Sequence, residues 1–205
     1  MYYPKRLFIK KDLDISHFKN LGRYIKSMQY ESGAIPSDDD GFHDPWDHME
    51  SIMGLSFSNE YVASKLAFSW LIRNQNSDGS WFAKYKNEVP VEKNKPTHFG
   101  PYISVAALHF YKIFLDKDFL EELWPAIELA INFSLNLQIN NGTIPWSIDK
   151  HGEIENDFLI TGSSSILKSI ECGLAISKIL KKDKNLKNWI KSYELLSQAV
   201  KNPVG

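Results

Sequence analysis

The chain has 205 residues, with 24 basic and 25 acidic side chains and a formal net charge of −1. This length suits one domain with a real hydrophobic core. The near-neutral charge excludes the global basic field that attracts nucleic acid or an anionic membrane, and the single cysteine, Cys172, excludes an internal disulfide framework. No apolar run approaches the roughly 18 residues of a membrane span. We therefore expect one cytoplasmic domain over residues 1–205, with no nucleic-acid partner.

The first two predicted helices are marked by residues that start and stop helices. Asp14 or Ser16 can cap a first helix that runs to Gln29. The pair Asp44-Pro45 predicts the start of a second helix, because aspartate caps well and proline is tolerated in the first turn. Gly54 lies near the predicted end of this second helix.

The middle of the chain predicts two more helices, separated by a long connection. Ser58 is expected to cap the third helix, which leads into Trp70 and Leu71. Residues 86–97 contain two prolines and several polar side chains, so they predict an irregular segment. Residues 102–115 are almost wholly apolar, which predicts a helix buried among others.

Three helices are predicted in the C-terminal part. Asp118 and Glu121 have the spacing of a capping box, and Pro125 is expected to kink or restart the helix that follows. A loop over residues 144–160 separates this helix from the next, for which Thr161 or Ser163 is the expected cap. Residues 186–200 predict a final amphipathic helix. The total is seven helices and no strand.

One turn pattern occurs three times. A glutamine ends a helix, a glycine follows four residues later, and an aromatic residue lies five positions before the glutamine, as at Gln29, Gln75 and Gln138. The glutamines are separated by 46 and 63 residues (75 minus 29 and 138 minus 75). Glycine at these positions suits the left-handed backbone of a helix C-terminus. The repetition predicts an all-α array of stacked helical hairpins with unequal connections.

The central turn, Gln75-Asn-Ser-Asp-Gly-Ser-Trp81, resembles the QW motif of squalene-hopene cyclases and related terpene cyclases. Residues from Asp44 to about Val200 also resemble bacterial prenyltransferase-like proteins, through Asp44-Pro-Trp-Asp-His-Met-Glu50, Leu123–Glu128 and Thr161–Ile166. The resemblance implies an α/α toroid, of which about seven helices would be a part, as in a truncated toroid or an open arc. It also implies a prenyltransferase-like or cyclase-like enzyme that acts on an isoprenoid.

The motifs for isoprenoid chemistry are incomplete in this sequence. The Asp-x-Asp-Asp motif of the cyclases is absent, with Ser37-Asp-Asp-Asp40 as the nearest string, and the Asp-Asp-x-x-Asp diphosphate motif is missing. Cys172 lies on an apolar helix face, where packing is the expected role. Ser163 to Ser165 could bind a phosphate at a helix N-terminus, although capping is the alternative interpretation.

Six-hairpin glycosidases offer a second use of the same architecture, and the segment Leu123–Glu128 resembles a helix of such enzymes. They use two carboxyl groups beside the scissile bond. Suitable acids occur in two places, around Trp46 and after Trp146; they are Asp44, Asp47, Glu50, Asp149, Glu153 and Asp157. A third alternative is a non-catalytic scaffold or fragment, which would expose a large apolar face and self-associate.

The candidate site is placed at the loop-rich end of the helices. Its predicted catalytic residues are Asp44, Asp47 and His48, and its predicted substrate-binding residues are Trp46, Trp81, His98 and Trp146. The expected partner is a small molecule, either an isoprenoid or a sugar. His43 and His48 with a nearby aspartate could bind zinc or manganese, but a capping role is favoured, so no metal site is predicted. The sequence does not identify a cofactor.

Overall fold

The computed structural model describes residues 15–202, with side chains from Asn20 onward. Seven α-helices occur in this range: α1 (Ile15–Met28), α2 (Pro45–Phe57), α3 (Tyr61–Asn74), α4 (Ile103–Phe114), α5 (Lys117–Leu135), α6 (Ile160–Leu180) and α7 (Leu186–Lys201). A short 3-10 helix over Gly100–Tyr102 leads into α4. The predicted cap at Asp14, and the side chain of Ser16, lie outside the described residues. The predicted helical class is confirmed.

The helices alternate between two layers. Helix α2 packs on α4, and α4 packs on α6, so these three form an inner layer. Helix α1 packs on α2, α3 on α2 and α5, and α7 on α6, so α1, α3, α5 and α7 form an outer layer. This alternation is the predicted array of helical hairpins. The core between the layers contains the largest buried side chains, among them Trp70, Trp81 and Trp189.

The three repeated turns join neighbouring outer helices. In each turn the glutamine Nε2 donates to the carbonyl of the glycine four residues later, at 3.0–3.2 Å. The same nitrogen also donates to a carbonyl on the next outer helix at 3.0 Å: Gln29 to Ala63, Gln75 to Ala126 and Gln138 to Ser192. We call these turns glutamine clamps. Each one fixes the end of one outer helix to the side of the next.

The glycine of each clamp is required by space as well as by backbone conformation. Gly79 has a φ of +94°, and a Cβ there would lie 2.3 Å from the carbonyl oxygen of Leu129. Gly33 and Gly142 face Leu66 and Leu195 in the same way. Since only glycine combines a left-handed backbone with this close approach, the clamp determines how near two outer helices lie.

Short strands occur where the sequence predicted none, so that prediction was wrong. An antiparallel sheet has the order β1 (Phe42–His43), β2 (Lys84–Lys86) and β3 (Val89–Glu92). A second pair joins β4 (Lys95–Pro96) to β5 (Ser147–Ile148). Segments of two to four residues are too short to show the alternation that identifies a strand. Residues 86–97 are therefore an ordered hairpin region.

Several predicted helix starts also differ from the structure. Ser58 ends α2, donating its backbone N–H to Gly54, and Glu60 precedes α3. Helix α6 begins at Ile160, so Thr161 and Ser163 lie inside its first turn. These differences arise because serine and threonine also occur at helix ends and in first turns, where tertiary packing decides the boundary.

The N-cap of α5 lies two residues before Asp118, the predicted start of the capping box. Asp116 is the cap, and its Oδ1 accepts from the Phe119 N–H at 3.0 Å. The helix then runs through Pro125 without a restart. Within residues 15–202, no helix is long and apolar enough to cross a membrane.

Candidate functional site

The long connections lie at one end of the helical array. Residues 29–44, 75–99 and 136–159 each lead from the end of an outer helix to an inner helix, whereas the connections at the opposite end are short. The N-termini of α2, α4 and α6 therefore meet the long connections at the same end. This is the loop-rich end at which the sequence placed the site.

Asp44 and Asp47 lie at the start of α2. Asp44 is the N-cap, and its Oδ1 accepts a hydrogen bond from the Asp47 N–H at 2.9 Å. The Asp47 side chain is exposed, and its Oδ2 accepts from Ser37 Oγ at 3.5 Å. The cap fixes the backbone between these two carboxyl groups, so a single helical turn presents both at the loop-rich end.

The Asp44 carboxyl binds its proton more tightly than an ordinary aspartate. Burial raises the pKa of Asp44, and the charges of Asp47 and Glu50 raise it further, against the hydrogen bond from the Asp47 N–H, which lowers it. A carboxyl group that keeps its proton closer to neutral pH is suited to act as a general acid.

Trp46 belongs to the same turn, and its ring stacks on that of Tyr102, the last residue of the 3-10 helix before α4. Its indole stacks on Tyr102, with ring centroids 4.0 Å apart and planes 2° apart. Trp46 Nε1 donates to Glu50 Oε1 at 3.1 Å, and the Tyr102 hydroxyl donates to the same oxygen at 3.5 Å. The predicted catalytic and substrate-binding residues included Trp46 but not Tyr102, and Glu50 was named only among the acids suitable for a glycosidase. The spacing of four between Trp46 and Glu50 was an available signal, whereas nothing local marks Tyr102.

His98 and Trp146 extend this aromatic surface toward α6. The His98 ring lies 5.4 Å from Trp46 and 4.1 Å from Trp146, between centroids. His98 is buried, its Nδ1 has no hydrogen-bond partner, and burial lowers its pKa to about 4. A Cβ at Gly162, in the first turn of α6, would lie 3.1 Å from the Trp146 ring. Three of the four predicted binding residues are thus adjacent: Trp46, His98 and Trp146.

His48 and Trp81 lie in the core instead. His48 is fully buried; its Nδ1 accepts from the Ile35 N–H at 3.3 Å, and its Nε2 donates to the Ala67 carbonyl at 3.0 Å. Burial lowers the pKa of His48 to about 3. Trp81 is also fully buried, with its Nε1 donating to the Leu71 carbonyl. Both side chains connect backbone segments below the site, so we assign them no part in the chemistry.

The other acids and histidines considered in the sequence lie in turns or in the core. Asp149 Oδ1 accepts from the His151 and Glu153 N–H groups, which closes a tight turn. Asp157 lies next to the aromatic surface, since its carbonyl accepts from the Trp146 N–H at 2.7 Å. His43 is buried against Trp70 and Tyr85. Across residues 15–202, no group of three or more His, Cys, Asp or Glu is arranged to hold a metal ion.

A groove of about 400 Å³ opens beside Asp47. It runs between α1 and the start of α2, and its lining includes Asp47, Glu50, Ser37, Ile35, Met28 and Tyr24. One wall is apolar and the other carries carboxyl groups. The groove can therefore receive a ligand that offers both hydroxyl groups and an apolar face.

Comparison of the sequence with known proteins identifies carbohydrate-active relatives. No protein-family model matches. The sequence is 35% identical over 153 residues to an MMP endo-(1,4)-3-O-methyl-alpha-D-mannosidase of Mycolicibacterium hassiacum, which covers 75% of this chain and 42% of the relative. It is 27% identical over 135 residues to an uncharacterized glycosyl hydrolase of Methanocaldococcus jannaschii, which covers 65% of this chain and 21% of the relative. The chain thus spans less than half the length of either relative.

Solved structures share the fold at low sequence identity. A D-mannose isomerase superposes with a TM-score of 0.60 at 9% identity, over 95% of this chain and 52% of its own. An endo-beta-1,4-glucanase from Acetobacter xylinum superposes with a TM-score of 0.61 at 12% identity, over 91% of this chain and 56% of its own. These similarities confirm the predicted α/α-toroid architecture, of which the chain spans about half.

The assignment to the prenyltransferase and terpene cyclase superfamily was wrong, and so was the inference of an isoprenoid-processing enzyme. The relatives and the structural neighbours are glycosidases and sugar isomerases. The physical reason lies in the motif that carried the resemblance. Gln75 and Trp81 make hydrogen bonds to backbone carbonyls and hold helices together. The motif therefore indicates the helical array and carries no information about the substrate.

Proposed function

We propose that this chain forms the saccharide-binding and proton-donating part of a glycosidase-type enzyme. The observation that carries the proposal is the first turn of α2, where the Asp44 carboxyl, with its raised pKa, lies on the same turn as Asp47 and Trp46. The mannosidase and glycosyl hydrolase relatives support the same class of substrate.

In this proposal Asp44 is the general acid and Asp47 the general base. Cleavage of a glycosidic bond requires a proton for the departing oxygen and a carboxylate that acts on the other side of the reacting carbon. Burial raises the pKa of Asp44, which favours the first role. Asp47 has an exposed carboxylate on the groove, where water can reach it. The aromatic side chains Trp46, His98 and Trp146 would contact the sugar rings.

The test is hydrolysis of an α-1,4-linked oligosaccharide of 3-O-methylmannose, the sugar in the name of the mannosidase relative. We expect Asp44→Asn and Asp47→Asn each to lower kcat by about 100-fold or more, as loss of a general acid or base does. The matched control is Asp118→Asn, an exposed aspartate in the first turn of α5, at the opposite end of the array. It should leave kcat unchanged.

Two experiments distinguish the general acid from the general base: a substrate with a better leaving group, and an added nucleophile. An aryl mannoside with a good leaving group needs little protonation, so it should restore most of the rate of Asp44→Asn and little of that of a base variant. Azide or formate should restore activity to Asp47→Ala alone. Full activity of Asp44→Asn and Asp47→Asn on the oligosaccharide would rule out the assignment of both residues. Conversion to an isomeric sugar, with no cleavage, would contradict a glycosidase and favour an isomerase.

A further inference from the structure

Three residues from two inner-layer elements form one rigid unit at the edge of the proposed site. Trp46 and Glu50 lie one turn apart on α2, and Tyr102 ends the 3-10 helix that precedes α4. The two rings are parallel to within 2° at a centroid distance of 4.0 Å. We propose that Glu50 is a positioning residue that holds Trp46 on Tyr102 as a stacking platform for a pyranose ring beside Asp47. This inference rests on the proposed glycosidase-type function.

Glu50 determines the orientation of both rings through a single oxygen. Its Oε1 accepts from Trp46 Nε1 at 3.1 Å and from the Tyr102 hydroxyl at 3.5 Å. Hydrogen bonds to an ionised acceptor are stronger than those between neutral groups. Burial and the nearby Glu50 raise the pKa of Tyr102, so the phenol stays protonated and remains a donor. Without this acceptor the indole loses the hydrogen bond that fixes its orientation on Tyr102.

The platform differs from the aromatic packing of the core. Trp70, Trp81 and Trp189 are at most 1% exposed, whereas Trp46 and Tyr102 are both partly exposed. Because Tyr102 covers one face of Trp46, the accessible area of the indole lies on its other face and its edges. The C–H face of a pyranose packs against an exposed aromatic face of this kind.

The location of the platform connects it to the proposed chemistry. Glu50 and Asp47 line the same groove of about 400 Å³. Trp46 lies between Asp44 and Asp47 in the sequence of the first turn of α2. A sugar ring on the platform would therefore lie at the helical turn that carries both proposed catalytic groups. Glu50 accepts from the two rings of the platform, whereas Asp44 and Asp47 accept from the Asp47 N–H and from Ser37.

The experiment compares Glu50→Ala with Glu50→Gln, using the oligosaccharide of 3-O-methylmannose as the probe. Glutamine keeps an acceptor oxygen at this position, whereas alanine removes it. We expect Glu50→Ala to raise KM by about tenfold, equivalent to about 1.4 kcal/mol of binding free energy, with kcat within about threefold. Glu50→Gln should keep KM within about twofold. The control is Glu122→Gln, an exposed glutamate on α5, which should change neither constant.

A spectroscopic signal reports on the platform independently of turnover. Closely stacked Trp46 and Tyr102 should contribute to the near-ultraviolet circular dichroism, and this contribution should be lost in Glu50→Ala, kept in Glu50→Gln and lost in Trp46→Ala. The far-ultraviolet spectrum, which reports on the helices, should stay the same in all three variants and so shows that each one is folded.

The outcomes separate this inference from the function on which it rests. If the unsubstituted chain binds and cleaves the probe but Glu50→Ala has an unchanged KM, only the platform is overturned. A Glu50→Gln variant as damaged in kcat as Asp44→Asn would also overturn it, since Glu50 would then act in the chemistry. If the unsubstituted chain neither binds nor cleaves the saccharide, the proposed function fails and the platform fails with it.

Discussion

At the scale of single residues, burial determines what the two inward-facing histidines of the loop-rich end can do. His48 uses both ring nitrogens in hydrogen bonds to backbone groups, and the buried Nδ1 of His98 has no partner. Burial lowers the pKa of His48 to about 3 and that of His98 to about 4. Both side chains are therefore neutral near pH 7, and neither can supply a positive charge to a ligand there.

The same pKa values predict a loss of stability in acid. Below the ordinary histidine pKa of about 6.5, the unfolded chain takes up a proton at each position, while the folded chain does not until the pH approaches the lowered value. The free energy of unfolding should then fall with decreasing pH by about 1.4 kcal/mol per pH unit for each histidine. Urea unfolding at pH 7, 6 and 5 measures this slope.

The control for that slope is a pair of substitutions. His98→Gln should remove the contribution of one histidine, whereas His151→Gln, at an exposed position, should leave the slope unchanged. Asp44 contributes to the pH dependence of the free energy of unfolding with the opposite sign. Its raised pKa means that the folded chain keeps this proton to a higher pH than the unfolded chain, so the contribution falls as the pH rises. Because Asp44 is present in both histidine variants and in the unsubstituted chain, its contribution cancels when their slopes are compared. Equal slopes in all three proteins would contradict the assignment of His98 as buried and neutral.

At the scale of elements, the glutamine clamps explain how outer helices of different lengths keep the same register relative to one another. The acceptor on the next helix lies 12 residues before the glutamine that ends that helix, as with Ala63 and Gln75 or Ala126 and Gln138. Each clamp glycine meets a backbone carbonyl on the same neighbouring helix. Helix spacing is thus fixed by contacts between backbones, which permit no adjustment by a change of rotamer.

Two glycines with similar backbone angles allow the cost of this contact to be measured. Gly79 and Gly152 have φ values of +94° and +91°, but a Cβ at Gly152 would meet nothing within 4 Å. Gly152→Ala should lower the free energy of unfolding by about 1 kcal/mol, the cost of the left-handed backbone alone. Gly79→Ala adds the displacement of α5 and should cost about 3 kcal/mol or more. Similar losses in chemical denaturation would show that the clamp does not constrain the helices.

The elements also show which parts of the molecule could be predicted. The clamps could be, because glutamine, glycine and the preceding aromatic residue recur at fixed local spacing. The start of α2 could be, because Asp44 and Pro45 are adjacent. The strands could not be, because they depend on pairing between distant segments such as Phe42 and Lys86. The role of Tyr102 could not be predicted for the same reason, since Tyr102 and its partner Glu50 are 52 positions apart in the sequence.

At the scale of the whole molecule, the two ends of the array give the same capping motif different surroundings. Asp44 and Asp116 are both N-cap aspartates whose Oδ1 accepts from the N–H three residues later. Asp44 faces the loop-rich end, whereas Asp116 lies at the short-connection end, beside the Tyr61 hydroxyl and Lys65. The tyrosine and the cap together lower the pKa of Asp116, in contrast to Asp44. The same local motif thus raises the pKa of a carboxyl group at one end, where burial dominates, and lowers it at the other.

This matched pair predicts a separation of stability from activity. Asparagine caps a helix nearly as well as aspartate, so both Asp44→Asn and Asp116→Asn should cost at most about 1 kcal/mol of folding free energy. Only Asp44→Asn should abolish hydrolysis of the oligosaccharide; Asp116→Asn should retain kcat within about twofold. Thermal unfolding and steady-state kinetics on the same preparations give both quantities. Comparable losses of activity in the two variants would mean that stability, not chemistry, explains the effect of Asp44.

The clamps have a further consequence for how such a molecule can diverge. Each stands at the foot of a connection that leads to an inner helix, and the distances between successive glutamines, 46 and 63 residues (75 minus 29 and 138 minus 75), differ with the length of that connection. Insertions can accumulate beyond the clamp without disturbing the register of the helices beneath. The connections at the loop-rich end can therefore change in length and sequence while the clamps keep the outer helices at the same spacing.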